Sequence, residues 1–327
     1  MPGSSPKRAK RTTAIANRVA HPVLENFIAV DPKSLALIEQ IKKIAASRAT
    51  VLINGESGAG KELAATLLHY LGAEPAEPMV KIDCASLPEP LMESELFGYE
   101  RGAFTGASAM KRGRLELAGA GTLVLDEVAA LSPAMQTKLL RVIEEKRFDR
   151  LGGSDPVVLP RQLRIVAITS ANLEQAVRER SFREDLFHRL NVVPLAVPPL
   201  RERRQDIAPL AEHFLKHFAA LRNQKARAFS KEALHFFGAY SFPGNVRELR
   251  NFCERSVAAG RLGTISVDEL PQAIRANAIR KPTLAQMERA YIADVLDYTR
   301  GKKSQAAAIL GISRKNLLEK RKRYKLD

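Results

Sequence analysis

From about His21 to Val197, short apolar runs alternate with amphipathic stretches. Thr50-Val51-Leu52-Ile53-Asn54, Met79-Val80-Lys81-Ile82, Thr122-Leu123-Val124-Leu125 and Leu163-Arg164-Ile165-Val166-Ala167-Ile168 read as buried strands. The segments between them, such as Pro133 to Phe148, carry helical periodicity. Strand–helix alternation of this kind predicts a parallel sheet covered on both faces. After Pro198-Pro199 the strand signals stop and helical periodicity runs to about Ala276. Lys281-Pro282 marks a short linker, and the segment from Thr283 again reads as helices. The expected plan is an α/β body over residues 23–197, an α-helical lid over 198–278 and a small all-α module over 283–327. A basic tail, residues 1–22, reads as disordered.

Composition narrows the class. The chain has 327 residues, 45% hydrophobic and 27% charged, enough to build a core and incompatible with wholesale disorder or a collagen-like architecture. No apolar run approaches the ~20 residues of a membrane span, and the first residues lack a signal-peptide apolar stretch. No membrane partner is expected. Two cysteines, Cys84 and Cys253, are too few for a disulfide framework and suit a reducing compartment, so a cytoplasmic location is expected.

Charge is distributed unevenly. The net charge is +16, of which residues 1–18 carry +5 and residues 280–327 carry +8. A near-neutral body with basic ends suggests a polyanion partner at those ends, with a merely solvated basic surface as the alternative.

The strongest motif is Gly55-Glu56-Ser57-Gly58-Ala59-Gly60-Lys61. It follows the strand ending at Asn54 and opens the helical pattern Glu62 to Leu71, the context of a phosphate-binding P-loop. Glycines let successive backbone amides turn inward around phosphate oxygens, and the helix N-terminus adds its positive dipole end. Lys61 is expected at the β/γ-phosphates. Glu62 stands where a Ser or Thr ordinarily meets the metal. The strand Thr122–Leu125 ends in Asp126-Glu127, an acidic pair at the sheet edge where α/β ligands bind. Asp126 can hold Mg²⁺, and Glu127 can polarise a water that attacks the γ-phosphate. Together these point to ATP hydrolysis with ATP and Mg²⁺ as cofactors.

Arg183 and Arg189 lie six residues apart in Phe182-Arg183-Glu184-Asp185-Leu186-Phe187-His188-Arg189-Leu190. They are either salt-bridged members of a charged helix or arginine fingers reaching a neighbouring subunit. His213 and His217 are spaced i, i+4, but no third ligand accompanies them, so no metal role is expected.

Gly102-Ala103-Phe104-Thr105-Gly106-Ala107, preceded by Glu95-Leu96-Phe97-Gly98-Tyr99-Glu100, is a GAFTGA motif. Small and hydroxylated residues around one Phe make poor core material and suit an exposed gripping loop. With the P-loop and the Asp126-Glu127 pair, the chain resembles sigma-54-dependent (enhancer-binding) AAA+ transcription activators from about Val23 to its end. That resemblance implies a AAA+ P-loop NTPase fold, a homo-oligomeric ring, usually hexameric, and nucleotide at the subunit boundaries. It implies that Gly55 through Glu62 and Thr169 hold the nucleotide, with Arg247 as the nucleotide-sensing arginine of the lid. It further implies that Arg183 and Arg189 are the paired interface arginines, and that Gly102 through Ala107 contact sigma-54, led by Phe104 and Thr105. Besides Glu62, three positions depart from the family pattern: Ser170 stands for the usual sensor Asn, Asp83 for the usual Asn that restrains the catalytic Glu, and Ala59 is a mild change in the P-loop. A carboxylate cannot donate a hydrogen bond to Glu127 unless protonated.

The C-terminal stretch Lys303 to Leu317 has helix-turn-helix grammar: small alanines for close packing, Gly311 at the turn and Ser313 as an N-cap for a helix running to about Tyr324. The resemblance implies a Fis-like domain binding double-stranded DNA upstream of promoters. Arg314, Lys315 and Asn316 are the expected base readers, while Lys320, Lys322 and Arg323 are expected on phosphates. The leading expectation is an ATP-dependent activator that remodels sigma-54 RNA polymerase holoenzyme into open complex. Alternatives are a AAA+ machine of another clade and a DNA-binding regulator or repressor whose ATPase does not act on sigma-54. The short segment before the body suggests control by a regulatory protein acting in trans or by expression level.

Overall fold

The computed structural model describes residues 27–72, 75–259, 263–279, 284–299, 301–324 and 326. The basic tail and the Lys281-Pro282 linker lie outside these residues. Two compact units divide at Glu269/Leu270.

The first unit is built on a five-stranded parallel sheet. Its strands are β1 (Val51–Asn54), β2 (Met79–Asp83), β5 (Thr122–Asp126), β8 (Arg164–Thr169) and β9 (Val193–Ala196), in the order β2-β5-β8-β1-β9. Two short antiparallel ribbons accompany it: β3 (Gly98–Tyr99) with β4 (Lys111–Arg112), and β6 (Arg147–Phe148) with β7 (Val157–Val158). Four of the sheet strands are those the apolar runs predict. The fifth, β9, contains Pro194, which lacks an amide donor and disfavours a strand reading; it is tolerated because β9 is an edge strand paired only with β1.

Alternation along the strands divides the core. Leu52, Ile82, Leu123, Leu125, Ile165 and Ala167 face one side, packed with Met135 and Leu139 of the helix Pro133–Glu145. Val51, Ile53, Val124, Val166 and Ile168 face the other, packed with Leu37 and Ile41 of Pro32–Ala45 and Leu67 and Leu68 of Lys61–Tyr70. Arg164 is a charged residue in a fully buried strand. Its guanidinium donates to the carbonyls of Ile44, Ala45 and Leu68 at the C-terminal ends of two helices, where negative dipole ends offset its charge. Burial, with Arg48 nearby, lowers its pKa to about 10.

The register fixes the functional edge. Asn54 lies opposite Thr169, and Asp83 opposite Asp126. The P-loop, the acidic pair and Ser170 therefore leave the sheet side by side, at the carboxyl ends of parallel strands.

The lid follows as the helices Ile207–Leu221, Lys231–Ala239 and Asn245–Ala258 around Phe229, Phe237, Phe242 and Phe252. It is not purely helical: β10 (Ala228–Phe229) and β11 (Thr264–Ile265) form a two-residue parallel pair, too short to leave a periodic signal. Arg227 beside it donates to both carboxylate oxygens of Glu269.

The second unit contains the helices Gln272–Ile279, Leu284–Tyr298, Lys303–Ile309 and Arg314–Tyr324. Ile292, Val295, Leu296, Ala306, Ala307 and Leu317 form its core. Among the described residues no helix is long and apolar enough to cross a membrane.

Candidate functional site

The P-loop turns from Asn54 into the helix Lys61–Tyr70 through Gly58 (φ +74°) and Gly60 (φ +104°), conformations that L side chains rarely adopt. Gly58 is also a point of close approach: a Cβ there would lie 2.5 Å from the Gly244 carbonyl oxygen and 2.9 Å from Arg247 Cβ. Only glycine lets the lid's Asn245–Ala258 helix begin against this loop.

Lys61 is buried, and its Nζ donates to the carbonyls of Gly55 (2.9 Å) and Glu56 (3.2 Å) and stands 3.5 Å from Glu127 Oε1. This ammonium lies beside helix-first-turn amides that have no intrahelical acceptor, a cradle suited to a polyphosphate. A cleft of about 490 Å³ lies on the lid side of the loop, lined by Ser57, Gly244, Arg247, Glu248 and Arg255 among others. Arg247 Nη1 donates to Ser57 Oγ at 2.8 Å, so the lid arginine already meets the P-loop.

Three residues that sequence reading passed over join the loop to the lid. Arg201 grips both oxygens of Glu56, at 2.8 and 2.6 Å. Asn245, fully buried at φ +51°, donates to Glu56 Oε2 and the Ser57 carbonyl and accepts from the Leu200 amide. Arg203, also buried, donates to the Ala59 carbonyl and lies 3.9 Å from Asp206. Arg201 and Asn245 together hold the Glu56 carboxyl down at about 2. The run Arg201-Glu202-Arg203-Arg204, one residue after Pro198-Pro199, was the available signal, but a charge run ordinarily marks a solvated face.

At the acidic pair, Asp126 is largely buried and Glu127 adopts a left-handed backbone (φ +52°), an uncommon conformation outside glycine. Glu127 Oε2 accepts from both the amide and the hydroxyl of Ser170. Thr169 is wholly buried, and its hydroxyl accepts from the Ala171 amide and thus closes its own turn. Asp83 likewise turns to its own chain and accepts from the Ala85 amide at 2.9 Å. Ser170, flagged as a departure, is the residue that restrains Glu127 here.

Asp126 Oδ2 and Glu62 Oε2 are bridged by Lys81 Nζ at 2.9 and 2.7 Å. Oxygen donors of this kind suit a hard cation, and Mg²⁺ at nucleotide sites takes only one or two carboxylates, the remaining positions being phosphate and water. Asp126 fits that requirement, with Glu62 as a second oxygen within reach of the same charge. Among the described residues no cluster of three or more His, Cys, Asp and Glu could hold a metal, and His213 and His217 merely stack.

Arg183 and Arg189 are exposed. Arg183 is the N-cap of the helix Glu184–Leu190 and grips Asp185 at 3.0 and 2.7 Å, while Arg189 grips Glu144. Within one chain both guanidiniums are engaged by exposed carboxylates, Arg189 by one from the separate helix Pro133–Glu145.

The GAFTGA segment forms a closed loop above the β3–β4 ribbon. The Gly102 amide donates to the Ala107 carbonyl at 2.8 Å, and the Ala107 amide to the Phe104 carbonyl at 3.0 Å. Phe104 remains 47% exposed, its ring edge-on to Tyr99. Gly102, Thr105 and Gly106 are exposed, whereas Ala103 is half-buried and Ala107 buried. Arg150 braces the stem by gripping Glu116 and Glu100.

In the second unit, Ser313 caps the last helix by accepting from the Asn316 amide, and Gly311 takes φ +65° at the turn. Arg314, Lys315, Asn316, Lys322 and Arg323 are exposed. Lys320 is different: it is partly buried and pairs with Glu288 of Leu284–Tyr298, which also accepts from the Tyr324 hydroxyl. Its ammonium braces the helix packing, so it is not free for a phosphate as the exposed cations are.

A P-loop and acidic pair on this sheet order, a helical lid and a helix-turn-helix module define a AAA+ ATPase-type regulator. The family profile "Sigma-54 interaction domain" matches residues 27–196, "AAA+ ATPase lid domain" residues 201–287, and "Bacterial regulatory protein, Fis family" residues 283–324. The chain belongs to the sigma-54-dependent AAA+ transcription activator family. It is 41% identical over 310 residues to Regulatory protein AtoC of Escherichia coli (strain K12), covering 90% of this chain and 67% of that protein. Transcriptional regulatory protein ZraR of Salmonella typhimurium is 43% identical over 300 residues, covering 90% and 68%. The crystal structure of NtrX from Brucella abortus in complex with ADP matches at 34% identity and a TM-score of 0.73, covering 92% of this chain and 70% of that one.

Proposed function

We propose that this chain hydrolyses ATP in a homo-oligomeric ring and uses the reaction to open promoters held by sigma-54 RNA polymerase, while its C-terminal module binds upstream DNA. The observation that carries this reading is the pairing of a P-loop and Glu127, joined through Lys61, with an exposed Phe104-tipped loop on the same α/β unit. Bound Mg·ATP supplies the γ-phosphoryl group whose transfer to water releases the energy. Gly55 through Glu62 bind the phosphates by their backbone amides, Lys61 neutralises negative charge, and Asp126 holds the cation. Glu127, fixed by Ser170, orients the attacking water and takes up its proton. Arg247 reports the bound nucleotide to the lid through Ser57.

The exposure of Arg183 and Arg189 supports a role in a neighbouring subunit's site, where each guanidinium exchanges its present carboxylate for phosphate. Phe104 and Thr105 engage sigma-54, and movement of their loop with nucleotide state supplies the push. Arg314, Lys315 and Asn316 read bases, and Lys322 and Arg323 hold phosphates.

Thr105→Ala tests the loop. The expected result is near-normal ATP hydrolysis with loss of sigma-54-dependent open-complex formation. Activation that survives the substitution overturns the loop assignment.

A further inference from the structure

Lys81 has no part in the nucleotide chemistry described so far. It sits mid-strand in β2, opposite Val124 of β5, yet its ammonium reaches Asp126 and Glu62, two carboxylates from separate elements. Glu62 is the residue directly after the P-loop lysine, and Asp126 is the acid at the strand end. Two carboxylates sharing one partner repel each other, and Glu127 adds a third acid at the end of the same strand as Asp126. Lys61 lies beside Glu127, and the single charge of Lys81 lies between the other two and offsets part of their repulsion. An ordinary surface ion pair is a poor description: the Asp126 side chain is only 12% exposed, and one ammonium serves two acids.

We propose that Lys81 is a resident counter-cation of the metal site. It holds Asp126 and Glu62 together in the nucleotide-free protein and releases Asp126 to the divalent cation that accompanies nucleotide. The exchange keeps a cation beside Asp126 throughout, and it makes metal affinity a competition between Mg²⁺ and a tethered ammonium. The inference rests on Asp126 as the metal-holding acid.

The experiment titrates the full chain with Mn²⁺, detected by electron paramagnetic resonance, in the presence of a non-hydrolysable ATP analogue. Lys81→Met and Lys81→Gln are expected to bind Mn²⁺ about two- to fivefold more tightly than wild type, while Lys81→Arg stays close to wild type. In metal-free, nucleotide-free buffer, Lys81→Met melts below wild type, and the gap narrows on adding Mn²⁺ and the analogue. Unchanged or weaker Mn²⁺ binding in both neutral variants overturns the inference. Asp126→Asn separates the two layers. If it leaves Mn²⁺ binding intact, the assignment of Asp126 fails; if it loses binding while the Lys81 variants match wild type, only the counter-cation role fails.

Discussion

Glu127 gives a single carboxylate oxygen to two donors of Ser170, its amide and its hydroxyl, each at 2.9 Å. The other oxygen faces Lys61 at 3.5 Å. The proposed role of Glu127 in orienting water needs a fixed direction, and the bonds that supply it come from the residue at the end of the neighbouring strand β8. Asp83, a carboxylate, cannot donate that bond and does not reach Glu127. Glu127→Gln is expected to lower hydrolysis by about 10²–10³-fold with nucleotide affinity retained. Ser170→Ala keeps the amide donor and is expected to cost less than about tenfold. Steady-state hydrolysis and nucleotide titration check both; equal losses would mean that the Ser170 hydroxyl takes part in the reaction itself.

Arg183→Ala is expected to lower hydrolysis about 10³-fold in a ring of unchanged size, because the proposed arginine finger is then lost from the neighbouring subunit's site. Light scattering establishes the assembly, and turnover is then compared at equal ring concentration. Unchanged turnover removes Arg183 from the reaction.

The Glu56–Arg201 link makes lid attachment sensitive to acid. Its carboxyl is held at about 2 by Arg201 and Asn245, below the ordinary 4.5, so the stabilisation is complete above about pH 4.5 and is lost as pH falls towards 2. Both side chains are partly exposed, which limits the pair to about 1 kcal/mol or less. Glu56→Gln is therefore expected to melt slightly below wild type between pH 5 and 8, and the gap to close below about pH 4.5. A gap that closes between pH 6 and 7 would implicate a different group.

The basic helix of the C-terminal module contains cations of two kinds. Lys322→Ala is expected to weaken binding to any duplex and to reduce the salt slope of log K by about 1. Lys320→Ala is expected to lower the melting temperature through loss of Glu288 while leaving the salt slope unchanged. Fluorescence anisotropy on one duplex across several salt concentrations distinguishes them.

Chemistry carried by contiguous residues was legible in the sequence. The P-loop, Asp126-Glu127, the GAFTGA loop and the Ser313 cap each occupy a short stretch whose residue types state their purpose. Contacts between distant segments were not. Lys81 reads as one polar interruption in an apolar strand, and only sheet order places it beside Asp126 and Glu62. Arg201 and Arg203 read as members of a surface charge run, although Arg203 is buried. Pro194 hid β9, because a single strand cannot announce that it lies at an edge. Lys320 looked equivalent to Lys322 until the packing of Leu284–Tyr298 supplied Glu288.

The central claim is that nucleotide turnover at the Lys61–Glu127 site drives promoter opening through the Phe104 loop. The most direct measurement is permanganate footprinting of a sigma-54 promoter with purified polymerase and this protein, comparing ATP with a non-hydrolysable analogue. Melted promoter bases are expected with ATP, and none with the analogue or with Glu127→Gln. Equal opening with the analogue, or opening by polymerase carrying another sigma factor, would contradict the account.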